Sequence, residues 1–342
     1  MSNLPVLSAI VVAFGVSVLL GFWLIPLLRK IKYGQTILDI GPKWHKGKQG
    51  TPTMGGVLFI AGITLGILAG YAMLLSGSGG AMFSHRLLDH MYIALGLLMA
   101  LAFGLIGFVD DYIKVVKKRN LGLSAGQKMV MQFFIAILYI AGLYLAGSRS
   151  TFVRIPFLGE WELGILYFPL AVIGIVYMTN VVNITDGIDG LCTSVTFVSS
   201  LGFLVAASVL RNEGMSVMSG ALAGGCIGFL MWNFHPAKVF MGDTGSLFLG
   251  GMVVALAFGL GIPVYLALLG LIYILEGLSV VIQVSYFKLT RLLTGTPKRL
   301  FKMSPIHHHF EMCGWSESKI VVVFSLLQAV CCVVAVTAVM RF

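Results

Sequence analysis

The side chains best suited to chemistry lie in short polar motifs that interrupt a strongly apolar chain. Paired carboxylates, amides beside carboxylates and neighbouring imidazoles can hold cations or phosphorylated ligands and can move protons. The motifs contain Asp110-Asp111, the run Asn180–Asp189, Asp243 and the three histidines 307–309. Each motif adjoins an apolar segment, so these segments must position the polar groups.

Asp110 and Asp111 follow the apolar segment 91–109 in the run Gly-Phe-Val-Asp-Asp-Tyr-Ile-Lys. If the helix ends there, both carboxylates lie at its C-terminus, where the helix dipole disfavours each anion by roughly 0.3–1 kcal/mol. One interpretation is a solvated helix end neutralised by nearby lysines, Lys114, Lys117 and Lys118. The alternative is a cation or phosphate site whose electrostatics compensate for this placement.

A second motif, Thr-Asn-Val-Val-Asn-Ile-Thr-Asp-Gly-Ile-Asp-Gly, ends the apolar segment that begins at residue 164. Its polar side chains recur every third residue, and in a continuing helix they would share one stripe. These side chains are Asn180, Asn183, Asp186 and Asp189. The pattern is typical of a polar helix end capped by glycine, or of a surface that binds a base and ribose, or a metal.

Asp243 lies in Phe-Met-Gly-Asp-Thr-Gly-Ser, immediately before the apolar segment 245–261. An Asp before a helix is a preferred N-cap, worth about 1 kcal/mol. A helix N-terminus flanked by glycines also attracts phosphate, and Asn233, His235 and Lys238 lie just upstream. A helix cap and a phosphate site are both consistent with the sequence here.

The loop before the last apolar segment contains Ser-Pro-Ile-His-His-His-Phe-Glu. In an extended segment at most His307 and His309 share a side. A zinc site lacks the i, i+4 helical spacing and an accompanying pair of cysteines. The open interpretations are a solvated polar loop and a set of imidazoles, with His308 included, that faces a phosphorylated substrate.

Two further features are less specific. Lys46 and Lys48 precede Thr-Pro-Thr53-Met-Gly-Gly, but the spacing does not match a P-loop, so an ordinary ATPase is not supported. Membrane topology alone can explain these lysines. Glu276 lies within an apolar span, which makes it either a functional candidate or a buried structural partner.

The composition excludes a soluble protein. Of the 342 residues 58% are hydrophobic and only 11% are charged, against about 25% charged in soluble domains. The mean hydropathy is +0.97. The five cysteines show no disulfide framework. The chain is therefore predicted to be one integral membrane domain over residues 1–342, not a disordered chain or a nucleic-acid-binding module.

Ten segments are long enough to cross a bilayer, which needs about 20 apolar residues. They are 4–28, 54–76, 91–109, 128–147, 164–182, 191–210, 216–234, 245–261, 263–287 and 318–340. No alternating pattern typical of a barrel appears, so the predicted fold class is an all-α polytopic membrane protein with ten transmembrane helices.

Charge predicts the orientation of these helices. Most of the 23 Lys and Arg residues fall in the odd-numbered connections, which the positive-inside rule places in the cytoplasm. Both termini are then extracytoplasmic, and the acidic motifs share the cytoplasmic face with the basic loops. The net charge of +10 follows from this topology and does not call for a nucleic acid partner.

The motifs occur in one order across nearly the whole chain, and together they resemble the polyprenyl-phosphate N-acetylhexosamine-1-phosphate transferases. The triple histidine with Phe310-Glu311, and Gly-Thr-Pro-Thr-Met-Gly-Gly before the second span, are similar to the phospho-N-acetylmuramoyl-pentapeptide transferase branch. The resemblance implies transfer from UDP-MurNAc-pentapeptide to undecaprenyl phosphate, giving lipid I and UMP with Mg²⁺ as cofactor. It also implies a cytoplasmic cleft in the bacterial inner membrane, a homodimer, and inhibition by nucleoside antibiotics such as tunicamycin.

The resemblance implies roles for individual residues. Asp243 is expected to bind Mg²⁺, with Asp110 and Asp111 needed for turnover and as further candidate ligands. With His307 these three form the predicted catalytic set. The predicted substrate-binding residues are Lys48, Thr53, Lys114, Lys128, Asn180, Asn183, Asp186, Asp189, Asn233, Phe240, His307, His308 and His309.

Three alternatives remain. The first is a UDP-GlcNAc-1-phosphate transferase of the same superfamily, the second a transporter or flippase of phosphorylated ligands, and the third a membrane metal sensor. Within the transferase hypothesis, a phosphate monoester has a second pKa of about 6 and is mostly dianionic at neutral pH. We therefore expect Asp110 and Asp111 to organise the metal and the acceptor rather than to act as bases.

Overall fold

The computed structural model describes residues 3–30, 48, 50–77, 87–117 and 121–341. Within these ranges ten helices are long and apolar enough to cross a membrane, which confirms the predicted fold class and the number of spans. They are α1 (Leu4–Lys30), α2 (Gly56–Gly77), α3 (Leu87–Val116), α4 (Ala125–Leu145), α5 (Tyr167–Thr185), α6 (Leu191–Val209), α7 (Glu213–Asn233), α8 (Gly242–Gly259), α10 (Leu271–Thr294) and α12 (Glu317–Val339). Two short helices, α9 (Leu266–Leu269) and α11 (Ile306–Glu311), lie between them.

The helix α8 lies at the centre of the bundle. The most apolar part of α8 is 89% buried, against 22% for α1. It packs against α2, α3 and α5. A Cβ atom on Gly107 of α3 would overlap the backbone of Asp243, so glycine there allows α3 to approach the first turn of α8 closely. Peripheral helices present side chains such as Trp23 and Leu326 outward, as lipid contact requires.

Two predicted spans have different limits in the structure. The third continues as a helix from 109 to Val116, because hydrophobic length sets the membrane crossing but does not end the helix. The ninth, predicted over 263–287, is divided into a 3-10 turn (Pro263–Tyr265), α9 and α10. Gly270 interrupts the helical backbone before α10, and Gly295, with φ of 72°, ends α10.

A short antiparallel hairpin, β1 (Phe152–Ile155) and β2 (Gly159–Glu162), joins α4 to α5. No pattern in the sequence predicted this hairpin. In the hairpin Arg154 Nε donates a hydrogen bond to Glu160 Oε1 over 2.8 Å. It follows the C-terminus of α4 and precedes α5, whereas the polar motifs lie near the opposite ends of these two helices.

Candidate active site

Asp110 and Asp111 lie inside α3, one to two turns before its end. The expectation that they lie at a helix C-terminus, against the dipole, is therefore wrong. The helix continues because Lys114, one turn further on, brings its Nζ to 2.6 Å from Asp110 Oδ2 and offsets its charge. Lys118, predicted to help in this neutralisation, lies outside the described residues.

The first turn of α8 is capped by a residue from another helix. Asp111 Oδ2 accepts hydrogen bonds from the backbone N–H of Thr244 (2.9 Å) and from its hydroxyl (2.8 Å). The cap interpretation of Asp243 is therefore wrong, because its side chain points away from the free N–H groups of its own helix and towards lysines. The positive end of the α8 dipole favours the Asp111 carboxylate.

Three carboxylates and two ammonium groups converge beside this turn. Lys128 Nζ is 2.6 Å from Asp243 Oδ2 and 2.8 Å from Asp110 Oδ2. Lys114 Nζ lies 3.4 Å from Asp243 Oδ2 and 3.7 Å from Asp111 Oδ1. We call Asp110, Asp111, Asp243, Lys114 and Lys128 the acidic–lysine centre. The structure thus brings together five predicted site residues from α3, α4 and α8.

Glycines make the close approach at this centre possible. Gly242 has φ of +70°, a conformation that L side chains rarely adopt, and a Cβ there would overlap the carboxylate of Asp111. A Cβ on Gly122 would overlap the Asp110 carboxylate in the same way. The backbone therefore comes within van der Waals distance of both acids and excludes other groups from one side of each.

The free oxygen atoms of the centre suit a hard divalent cation. Oxygen atoms of Asp110, Asp111 and Asp243 lie within 4.8 Å of one another. Leu123 N–H occupies Asp110 Oδ1 and Thr244 occupies Asp111 Oδ2, so the opposite oxygen of each acid faces the interior of the centre. All-oxygen carboxylate ligands are those that Mg²⁺ prefers. With every group ionised the five side chains carry one net negative charge.

The predicted polar stripe of the second motif is broken at the end of α5. The stripe was predicted only for a continuing helix; the helix ends at Thr185 and residues 186–190 form a turn, so Asn180 and Asn183 share a helical face while Asp186 and Asp189 lie in the turn. Asn183 Nδ2 donates to Asp243 Oδ1 (3.2 Å) and to Ser246 Oγ (2.7 Å), which joins it to the centre. Asn180 instead donates to Gln132 Oε1 over 2.7 Å.

Asp186 begins the turn and is half-buried beside the acidic–lysine centre. Loss of water around its carboxyl group, together with the negative charges of Asp243, Asp111 and Asp189, raises its pKa well above the usual range. The same neighbouring carboxylates disfavour a further negative charge on this side of the centre and favour a cation.

Asp186→Asn is expected to flatten the pH dependence of thermal stability in the Mg²⁺-free protein. Because the folded state binds the proton of Asp186 more tightly than the unfolded state, its contribution to the free energy of unfolding is full below about pH 3.9 and is lost as the pH rises through the raised pKa. The wild-type melting temperature in detergent with EDTA should therefore fall with rising pH more steeply than that of the variant. Equal slopes would contradict this interpretation.

A second cluster lies on the other side of the turn. Lys48 Nζ bridges Asp189 Oδ1 (2.7 Å) and Glu317 Oε2 (2.6 Å). Asp189 Oδ2 accepts the backbone N–H of Ala237 (3.0 Å) and lies 3.1 Å from His235 Nδ1. We call Lys48, Asp189, His235 and Glu317 the Lys48 cluster. Its acids and His235 could also hold a metal ion, but the Lys48 ammonium already lies between the two carboxylates.

Glu317 and His235 were not among the predicted site residues. Glu317 lies in the first turn of α12, and its Oε2 also accepts the backbone N–H of Asp189 (3.0 Å). The one indication in the sequence for Glu317 is that it is an acidic residue at the end of a loop in which basic residues predominate. Lys46, the other lysine singled out near Lys48, lies outside the described residues.

Three further predicted substrate-binding residues, Asn233, Phe240 and Thr53, lie on segments next to the two clusters. Asn233 is 2% exposed, and its side chain accepts a hydrogen bond from Thr193 Oγ1 and donates one to Val239 O, both over 3.0 Å. The backbone N–H of Phe240 donates to Pro52 O over 2.8 Å, which holds the half-buried ring beside the segment of Thr53. Thr53 is half-buried beside Gly242.

The three histidines lie on the short helix α11, so the expectation of an extended segment is wrong. Each ring has a separate partner. Nδ1 of His307 is 2.9 Å from Glu276 Oε2, Nδ1 of His308 is 2.6 Å from Glu311 Oε2, and Nδ1 of His309 accepts the N–H of Lys302 over 3.1 Å. The imidazole edge of His307 lies against Gly187 in the turn between the two clusters.

Comparison with known proteins identifies the family to which the chain is similar. Residues 93–261 match glycosyl transferase family 4, and this segment contains the acidic–lysine centre. This family match, together with the ten apolar helices, places the chain among polytopic membrane glycosyl transferases. Residues 48–60 match signature 1 of phospho-N-acetylmuramoyl-pentapeptide-transferase, which begins at Lys48.

Curated relatives are similar along almost their entire length. The phospho-N-acetylmuramoyl-pentapeptide-transferase of Heliobacterium modesticaldum is 46% identical over 94% of this chain and 94% of the relative. Those of Acetivibrio thermocellus (43% identical; 96% and 94%) and Clostridium botulinum strain Alaska E43 (44%; 98% and 97%) are similarly close. The chain therefore belongs to the phospho-N-acetylmuramoyl-pentapeptide-transferase family.

Proposed function

We propose that the acidic–lysine centre and the Lys48 cluster together carry out the transfer of phospho-MurNAc-pentapeptide from UDP-MurNAc-pentapeptide to undecaprenyl phosphate. An oxygen of the lipid phosphate attacks the sugar-bearing phosphorus, a new phosphoanhydride bond forms, the bond to the uridine phosphate breaks, and UMP leaves. The observation that carries the proposal is the convergence of three carboxylates and two lysines beside the first turn of α8.

The acidic–lysine centre is assigned to Mg²⁺ and to the reacting phosphates. Asp243 is the principal ligand in this proposal, and Asp110 and Asp111 supply further oxygen atoms. When bound, Mg²⁺ neutralises phosphate charge and polarises the phosphoryl oxygens. It would also change the net charge of the five side chains from minus one to plus one, which favours an anionic substrate.

Lys114 and Lys128 are assigned the role of offsetting the electrostatic repulsion between the phosphate groups of the two substrates. Phosphoryl transfer is mostly positioning and electrostatic stabilisation, because charge is spread over the oxygens of the transferred group. Both ammonium groups are partly exposed, at 30% and 24%, and both lie against Asp243. They can therefore contact a phosphate next to the cation without moving far.

Asp110 and Asp111 are proposed to organise the centre rather than to accept a proton. Each has one oxygen committed to a backbone N–H and the other directed towards lysine. The lipid phosphate is mostly dianionic at neutral pH, since its second pKa is about 6. A base is therefore not needed for the attack.

The Lys48 cluster is assigned to the nucleotide part of the donor, with Thr53, Asn183 and Phe240 along the cleft. Lys48 is 17% exposed, so its ammonium can reach a ligand while Asp189 and Glu317 hold it. A half-buried aromatic ring such as Phe240 can stack on a base. The donor is also assigned to the histidines 307–309, because the ring of His307 contacts Gly187 in the turn of residues 186–190.

Lys48→Ala is expected to raise the KM for UDP-MurNAc-pentapeptide about 10- to 100-fold, because a charge-assisted contact worth about 1.5–3 kcal/mol is lost. The KM for undecaprenyl phosphate should change little, since Lys48 lies across the turn from the acidic–lysine centre. Initial rates with each substrate varied in turn measure both constants. Lys319→Ala is the matched control, because that lysine packs over Trp315 outside both clusters. An equal rise in both constants would contradict the assignment of Lys48 to the donor.

The basic odd-numbered connections support a cytoplasmic site in a bacterial cytoplasmic membrane, with both termini outside. We also propose a homodimer, and inhibition by nucleoside antibiotics such as tunicamycin, which would compete for the Lys48 cluster. The orientation is tested by introducing a single cysteine at each terminus in turn. Its labelling by a membrane-impermeant thiol reagent is then measured in intact cells. Protection of both termini would contradict it.

The experiment that tests the proposed function uses purified protein in detergent, radiolabelled UDP-MurNAc-pentapeptide and undecaprenyl phosphate, with and without Mg²⁺. We expect UMP and an organic-extractable lipid product in equal amounts, only when the acceptor and Mg²⁺ are both present. UDP-GlcNAc in a parallel reaction is the control for the related transferases. Preference for UDP-GlcNAc, or binding without release of UMP, would contradict the proposal.

A further inference from the structure

Glu276 is an ionisable side chain in the second turn of the membrane-spanning helix α10, and its exposed fraction is 0%. A carboxyl group among apolar helices is costly unless it has a partner, and such residues tend to have a function. The neighbouring Gly277 packs directly on Val181 of α5, so Glu276 lies where α10 is held against the helix that leads to the turn of residues 186–190.

The partner of Glu276 is His307, which comes from α11 and is also 0% exposed. Glu276 Oε2 lies 2.9 Å from Nδ1 of the ring and 3.5 Å from the backbone nitrogen of the same residue. A carboxylate is acceptor-only, so Nδ1 carries the proton in this contact. The other ring nitrogen, Nε2, has no hydrogen-bond partner among the described residues.

The far edge of the His307 ring reaches the turn between the two clusters. A Cβ on Gly187 would overlap Nε2 and Cε1 of the imidazole, so ring and backbone are in direct contact only because residue 187 is glycine. The turn carries Asp186 towards the acidic–lysine centre and Asp189 into the Lys48 cluster. One buried ring therefore contacts a segment that both clusters share.

We propose that Glu276 is a positioning residue, whose carboxylate fixes the tautomer and orientation of His307 and so places the turn of residues 186–190. The contact runs from α10 through α11 to the turn after α5. The kinetic consequence rests on the proposed function, since it assumes that Asp189 serves the donor nucleotide. The hydrogen bond and the ring orientation do not rest on it.

The kinetic test compares Glu276→Leu with Glu276→Gln. Loss of the acceptor in Glu276→Leu is expected to lower kcat/KM for UDP-MurNAc-pentapeptide about 10- to 100-fold, as is typical when the hydrogen-bond partner of a functional histidine is removed, while the KM for undecaprenyl phosphate stays the same. Glu276→Gln keeps an acceptor oxygen of the same reach and should recover most of the loss. Rates are expressed per folded protein, measured by gel filtration.

The matched control is Gln328→Leu, which removes another fully buried polar side chain from a membrane helix. Gln328 accepts the N–H of Ile272 and donates to Leu268 O, and it contacts neither cluster. It should lower the melting temperature but leave kcat/KM unchanged. If Glu276→Leu behaves like Gln328→Leu, the role of Glu276 is only structural and the proposal is overturned.

A spectroscopic measurement tests the Glu276–His307 contact independently of catalysis. In protein labelled with ¹⁵N-histidine, the His307 signals, identified from their loss in His307→Asn, should show a protonated Nδ1. This signal should disappear in Glu276→Leu and remain in Glu276→Gln. An unprotonated Nδ1 in the wild type would overturn the proposal. If the wild type released no UMP, the proposed function would fail while this measurement still tested the Glu276–His307 contact.

Discussion

Replacement of Asp243 by alanine is expected to lower turnover about 1,000-fold and to remove the saturable dependence of the residual rate on Mg²⁺. The carboxylate is the meeting point of Lys114, Lys128 and Asn183, and it is the most exposed of the three acids of the centre, at 22%. Loss of a ligand to a catalytic cation, and of the charge that holds both lysines, costs several kcal/mol in the transition state, which corresponds to this factor.

The measurement is the initial rate of UMP release over a Mg²⁺ titration. Glu213→Ala provides a matched control, because Glu213 occupies the first turn of α7 as Asp243 occupies that of α8, but it lies at the opposite end of the bundle. The control should keep the wild-type rate and the wild-type midpoint. An unchanged Mg²⁺ midpoint in Asp243→Ala would defeat the assignment of this residue as a ligand.

Asp110→Asn is expected to lower kcat about 100-fold by the same factor at every pH between about 6 and 9.5. The side chain is fully buried, one oxygen accepts the N–H of Leu123, and the other contacts the ammonium groups of Lys114 and Lys128. Asparagine preserves the first contact and loses the charge that positions the lysines. The oxygen that faces the centre is held by two ammonium groups, which stabilise the ionised carboxylate and oppose its protonation by the lipid phosphate.

The pH–rate profile of Asp110→Asn decides between an organiser and a base. If the residue served as a base, a more alkaline medium would supply the deprotonated acceptor, and the rate of the variant would approach that of the wild type at high pH. Recovery of that kind would contradict the organising role. Asp111→Asn is a useful companion, because its amide oxygen can still cap α8 and the protein should remain folded.

The sequence was sufficient to predict the membrane fold, because ten long apolar segments are a direct consequence of bilayer thickness. The polar motifs, together with the family resemblance that they carry, also selected all five charged groups of the acidic–lysine centre. The sequence did not predict correctly where the helices end. Whether α3 stops at residue 109 or continues to Val116 depends on Lys114 and Lys128, and the second of these comes from another helix.

The partners of the site residues could not be predicted either. That Asp111 caps α8, that Asn180 pairs with Gln132, and that Glu276 holds His307 are contacts between residues distant in the chain. No local pattern encodes them, since they follow from which helices pack together. Glu317 illustrates this most clearly, because only the folded chain brings α12 to Lys48.

The central place of α8 separates the chemistry from the surrounding lipid. Because the helix that carries Asp243 is enclosed by α2, α3 and α5, surrounding lipids contact the outer helices and not the carboxylates of the acidic–lysine centre. A change of detergent or of acyl-chain length should then alter how the polyprenyl acceptor arrives, but leave the spacing of the reacting groups intact. We therefore expect the geometry of the reacting groups to be the same in membranes of different thickness.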